Sequence, residues 1–209
     1  AEGLSNNAGG IGGSYPDLIQ RLSAIYMPGS GRGFAVNGGG ASLRTINQMI
    51  HIATAGMASN FGDSTTARQD SGGGGNHVRG ISAGGATPSD TNKTEEYDGT
   101  NWSNGNNLNT ARQTGAKLAG TGSQTAALQM GSGTTNESYD GTNWTAVGSR
   151  VISAAADAGS GTQSSAFTFG GSAGGVTGGS QDWNGTSWVT GISLTSARRR
   201  LGGFGPSST

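Results

Sequence analysis

Apolar residues in this chain come in short bursts rather than at helical spacing. Four bursts end at glycines: Gly33-Phe34-Ala35-Val36 before Gly38-Gly39-Gly40, Ile81-Ser82-Ala83 before Gly84-Gly85, 126–130 before Gly131, and 166–169 before Gly170-Gly171. The last two bursts alternate in part, as strands do when their two faces differ. Glycine pairs permit positive φ or close strand approach. After each burst a loop leads to a second predicted strand, at 46–52, 94–97, 136–139 and 180–183. Asp98-Gly99, Asp140-Gly141 and Asn184-Gly185 follow the last three and suit hairpin turns. Trp102, Trp144 and Trp188 then begin a third strand.

The pattern is a repeat. Tyr97-Asp98-Gly99-Thr100-Asn101-Trp102 returns unchanged as Tyr139 to Trp144, and altered as Trp183-Asn184-Gly185-Thr186-Ser187-Trp188. The spacing between the closing tryptophans is 42 and then 44 residues. Fixed periods of this size mark solenoids and propellers. Each unit ends in a junction, Thr66-Ala67-Arg68, Thr110-Ala111-Arg112 or Ser196-Ala197-Arg198; Ala154-Ala155-Ala156 stands where the third arginine is expected. Small, Gly-rich fourth strands are predicted at 71–75, 115–119, 156–159 and 201–204. The first repeat departs from the pattern, with Ile50-His51-Ile52-Ala53-Thr54-Ala55-Gly56 and no tryptophan.

Composition narrows the class. The chain has 209 residues, 42 of them glycine, and only 31% are hydrophobic, which opposes a helical bundle and suits short strands with tight turns. Formal net charge is zero, and Arg198-Arg199-Arg200 is too short to mark a nucleic-acid site. There is no cysteine, so no disulfide or thiolate metal site is expected. No apolar run is long enough for a membrane helix, and no signal peptide is visible at the N-terminus.

Residues 1–31 are expected to form an arm or anchor outside the repeats at 32–209. Ala1 to Ser14 is rich in Gly, Asn and Ser. From Pro16 to Tyr26 the apolar spacing fits either a helical face or a strand.

An apolar strand closed by glycines, a Tyr-Asp turn, a Trp and an Arg before the next unit resemble kelch repeats, which form four-stranded blades of a β-propeller. The degenerate, Gly/Ser/Thr-rich form, with the stretch from Ile50 through Asn60-Phe61-Gly62-Asp63 to Ala67-Arg68, resembles the kelch-like repeats of marine bacteriophage structural proteins. The resemblance implies a virion part: a tail, fibre or capsid decoration. The expected fold is all-β, a kelch-like propeller of four blades. Its last blade would be shared between 201–204 from the C-terminus and 33–36 from the N-terminus, which would hide two strand edges. An open stack of sheets, or a ring completed by another copy, is the alternative.

Candidate chemistry is sparse. Trp102, Trp144, Trp183 and Trp188 are candidate sugar-stacking platforms, or packing residues between blades. Asp98, Asp140 and Asp182 suit a cation or, before glycine, a turn. Arg68, Arg112 and Arg198 suit an anionic ligand or a repeated salt bridge. Gly72 to Gly75 lacks the Lys-Ser/Thr and helix of a phosphate loop. His51 and His77 have no matched partners, and Glu95, Glu96 and Glu137 read as solvated. No catalytic residue, metal site or cofactor is expected. The expected function is therefore a non-enzymatic virion structural protein at the particle surface. Its partners would be other virion proteins, met through the N-terminal arm, with homo-oligomers and a host-surface glycan as further contacts and no nucleic acid or membrane. A carbohydrate-binding module or adhesin is the rival.

Overall fold

The computed structural model describes residues 23–26, 32–36, 38–39, 43–51, 58–76, 78–112, 117–131 and 133–203. Among them the protein is all-β, built as four antiparallel four-stranded sheets. The first sheet joins β1 (Ser23–Tyr26), β2 (Arg32–Val36), β5 (Ile46–His51) and β6 (Ser59–Asp63); β3 (Gly38–Gly39) and β4 (Leu43–Arg44) form a small ribbon beside it. The second joins β7 (Gly72–Asn76), β8 (Arg79–Ala83), β9 (Thr94–Tyr97) and β10 (Trp102–Asn104). The third joins β11 (Lys117–Ser123), β12 (Ala126–Met130), β13 (Asn136–Tyr139) and β14 (Trp144–Val147). The fourth joins β15 (Ala158–Gly161), β16 (Ala166–Phe169), β17 (Ser180–Trp183) and β18 (Trp188–Thr190). Each sheet is a meander in chain order, as the repeat period requires.

The first strands of the sheets lie side by side in the order β1, β7, β11, β15. Glycine also allows close packing around β15: a Cβ on Gly159 would sit 2.8 Å from the Phe167 carbonyl of β16 and 3.2 Å from the Met130 methyl of β12 in the third sheet. The hairpins form through their turn residues. Asp98 Oδ1 accepts the N–H groups of Thr100 and Asn101 at 2.8 Å, and Gly99 takes φ 102°. Asp140 and Asn184 repeat the arrangement in the third and fourth sheets.

The shared last blade is not formed. Both edges of β2 are occupied, by β1 through Ile25↔Phe34 and by β5 through Phe34↔Met49. Residues 201–203 form no strand. Arg200 N–H instead bonds the Ala156 carbonyl at 2.7 Å, and Gly203 approaches Gly159 of β15. Residue 204 lies outside the described residues. The strand that completes the first sheet is β1, which falls inside the 1–31 segment; of the two conformations open for 16–26, residues 23–26 take the strand. The rest of that segment lies outside the described residues.

Candidate functional site

The core lies between sheets. Phe61 of the first sheet packs on Tyr97 and Trp102 of the second. Ile81, Ala83 and Leu108 meet Ala127, Tyr139 and Trp144 of the third. Leu128 and Met130 meet Ala166, Trp183 and Trp188 of the fourth. The four tryptophans are the lids of these interfaces. Trp102, Trp144, Trp183 and Trp188 are only 6, 6, 3 and 5% exposed. Their indole N–H groups point inward: Trp102 to the Phe61 carbonyl at 3.1 Å, Trp144 to Thr94 Oγ1 at 3.0 Å, Trp183 to the Gln163 carbonyl at 2.8 Å. Rings so covered offer no open face for a pyranose to stack on.

The junction arginines are buried as well. Arg68, which precedes β7, donates to the carbonyls of Lys93 (2.7 Å) and Ser82 (3.1 Å) and pairs with Glu95 at 3.5 Å. Glu95 also accepts the N–H groups of Thr65 and Thr66 at 2.8 and 3.0 Å. One repeat later, Arg112 donates to the Thr135 carbonyl at 2.8 Å and to Glu137 at 2.7 Å, while Glu137 accepts from Asn109 N and Thr110 N. Burial pulls both guanidinium pKa values below their ordinary level, and the facing carboxylates pull them back up. Glu95 and Glu137 are thus not solvated; they are 0 and 1% exposed because they cap the incoming junction. Glu96 faces the third sheet and accepts the Tyr139 hydroxyl. Burial first, and that carboxylate second, push the Tyr139 pKa up.

The fourth sheet solves the same problem differently. Gln181 stands opposite Thr168, as Glu95 stands opposite Ser82 and Glu137 opposite Gln129. Its carboxamide bonds the Ile152 N–H at 2.7 Å and the Ile152 carbonyl at 3.0 Å. Ala154 occupies the arginine position, so a neutral residue faces a neutral residue. The charge has moved four residues back to Arg150, which pairs with buried Asp157 and donates to the Ala154 carbonyl at 2.7 Å. Sequence reading missed this pair because neither residue lies at a repeated position. The spacing Arg-x6-Asp across the anomalous alanines was the available signal.

Of the expected turn aspartates, Asp98 and Asp140 make turns, and their backbone donors, Asn101 and Asn143 foremost, hold their carboxyls below the usual range. Asp182 lies on β17 and is not a turn residue; Asn184 takes that role. Arg198 differs from the other junction arginines. Its backbone is placed like that of Arg112: Gly171 N–H bonds the Arg198 carbonyl as Gly85 N–H bonds that of Arg112, both at 2.8 Å. Its side chain, however, is exposed and borders a groove of about 260 Å³ with Phe169, Leu194, Thr195, Ser196 and Leu201. Among the described residues there is no cluster of three His, Cys, Asp or Glu able to hold a metal ion, and no helix is long and apolar enough to cross a membrane. Comparison with known proteins finds no family that matches the chain and no matching curated protein.

Proposed function

We propose that the chain is a non-enzymatic structural component of a phage virion, in a tail, fibre or capsid decoration, and that its four sheets are kelch-like blades arranged as an arc of a propeller. The observation behind this reading is where the buried charge goes. Arg68 with Glu95, Arg112 with Glu137, and Arg150 with Asp157 all hold a junction against a sheet. Charged groups enclosed and paired in this way fix geometry rather than turn over substrate. The side-by-side first strands support the arc. The residue pattern supports the kelch-like and phage assignments, and a position at the particle surface follows from them.

Protein mass spectrometry of purified particles tests the reading: the chain should appear at a fixed copy number beside the capsid and tail proteins. Its absence from particles would refute the assignment. The carbohydrate-binding alternative finds its four tryptophans buried and would have to rest, among the described residues, on exposed groups such as the turn tips Thr100 and Asn101.

A further inference from the structure

The outer face of the fourth sheet repeats, group by group, a face that is covered elsewhere in the molecule. Cross-strand register puts Phe167 opposite Asp182 and Phe169 opposite Ser180. It likewise puts Ile81 opposite Glu96 and Ala83 opposite Thr94. Ile81 and Ala83 are buried under the third sheet, and their counterparts Leu128 and Met130 under the fourth. Phe167 and Phe169, the bulkiest of the series, are only half-buried and stack on each other with centroids 5.7 Å apart. Leu108 is 1% exposed, while Leu194, whose N–H bonds Gly178 as that of Leu108 bonds Asn92, is half-exposed. Asp182 holds the place of Glu96, which accepts a tyrosine hydroxyl from the next sheet. Thr195 and Ser196 N–H hold the places of Asn109 and Thr110, which donate to Glu137. Those two N–H groups and the Arg198 guanidinium have no hydrogen-bond partner among the described residues.

The complementary position is also half-exposed. In the first sheet Gln48 stands opposite Ala35, the register held by Glu95, Glu137 and Gln181 in the other three sheets. Its neighbour Met49 packs toward the second sheet, so Gln48 projects from the opposite face. Its carboxamide makes no hydrogen bond among the described residues, and a carboxamide there is competent, because Gln181 caps Ile152 in this way.

We infer that the outer face of the fourth sheet receives the first sheet of a second copy of this chain, with Gln48 of that copy capping Thr195 and Ser196 beside Arg198. The contact continues the interface used three times within the chain. It is head-to-tail, so it closes into a ring or propagates. Two copies supply eight sheets, within the range that propeller rings hold. Zero formal net charge leaves no long-range repulsion between copies.

The test is the solution mass of the full chain by sedimentation across a concentration series. The expected result is a species at twice the 20.7 kDa chain mass, or a larger head-to-tail series. Arg198→Glu should dissociate it, and adding Gln48→Lys to Arg198→Glu should restore it. Gln48→Glu alone should tighten it about tenfold, the effect of making one hydrogen bond charge-assisted. Unchanged circular dichroism of each variant separates lost association from lost fold. A single-chain mass at every concentration would overturn the inference. So would association indifferent to both positions, or cross-links joining position 167 only to itself. Slow thiol labelling of Phe167→Cys in the dilute single chain would overturn it too, by showing the face covered from within. Self-association of this kind is independent of the virion assignment: a chain missing from particles would still assemble in solution.

Discussion

The junction entering the third sheet and the junction entering the fourth do one job with opposite electrostatics. Both must satisfy backbone polar groups of the incoming segment between packed sheets: the N–H groups of Asn109 and Thr110 in the third, the N–H and carbonyl of Ile152 in the fourth. The third uses Glu137, and burying that carboxylate demands Arg112 2.7 Å away. The fourth uses Gln181, and Ala154 suffices opposite. Charge in the fourth junction is displaced to Arg150 and Asp157, which pair with each other. A buried ion costs several kcal/mol to desolvate, so its partner is not optional. A carboxamide at the same position removes that constraint. Within the chain the two positions are therefore coupled: glutamate goes with arginine at the second and third sheets, glutamine with alanine at the fourth.

Breaking one charged pair should have the largest effect. Glu137→Gln leaves Arg112 buried without its counter-ion, and about 3–5 kcal/mol of stability should be lost in chemical denaturation. Gln181→Ala removes only neutral hydrogen bonds and should cost about 1–3 kcal/mol. Equal losses at the two sites would erase the distinction.

The coupling itself is measured by converting one junction into the other. Arg112→Ala with Glu137→Gln reproduces the fourth-sheet combination in the third. The double variant should be more stable than the sum of the singles predicts, by about 0.5–3 kcal/mol of interaction energy. Additive singles would mean that the two side chains do not need each other.

The tryptophans sharpen the comparison at smaller scale. Trp144 Nε1–H bonds Thr94, but Trp188 Nε1 is buried without a partner among the described residues. Phenylalanine at 144 strands a buried hydroxyl as well as shrinking the ring; phenylalanine at 188 removes an unpaired donor. Trp144→Phe should therefore cost about 1–2 kcal/mol more than Trp188→Phe by thermal or chemical denaturation.

Much of the repeat was legible because it rests on local chemistry. Asp-Gly and Asn-Gly fix turns within a few residues, and alternation marks strands, so β9, β13 and β17 fall where the pattern put them. The sheet-closing partner was not legible. Pairing of 33–36 with 201–204 assumed that nothing before residue 32 was a strand, yet Ser23-Ala24-Ile25-Tyr26 is short enough to fit either period. The charge at the junctions was half legible. Arginine recurred visibly, but Glu95 and Glu137 looked solvated, because burial of a carboxylate depends on an arginine brought in from the junction 25 or more residues earlier. The tryptophans recurred at packing positions, and packing is where they lie. What marks the outer face of the fourth sheet is that no described residue covers Phe167 and Phe169, and a residue string does not display that.

The smallest expected effect concerns the hairpin tips. Two of the three repeated turns use Asp98 and Asp140, and the third uses Asn184 with the same two hydrogen bonds. The aspartates titrate and the asparagine does not. Backbone N–H groups favour the charged carboxylates, so their folded pKa values lie below the ordinary 3.8. A depressed folded pKa means that the unfolded chain takes up the proton first as pH falls. The stabilisation is therefore complete well above 3.8 and is lost as pH drops through 3.8 and on through the folded values. Asp98→Asn with Asp140→Asn makes all three turns alike. That variant should match the parent near pH 7 to within a small difference, and its stability should fall less steeply below pH 4. Denaturation midpoints measured from pH 7 to pH 2 check this. Parallel curves for variant and parent would show that the turn carboxylates titrate alike in the folded and unfolded chain, and that aspartate and asparagine are interchangeable there even in acid.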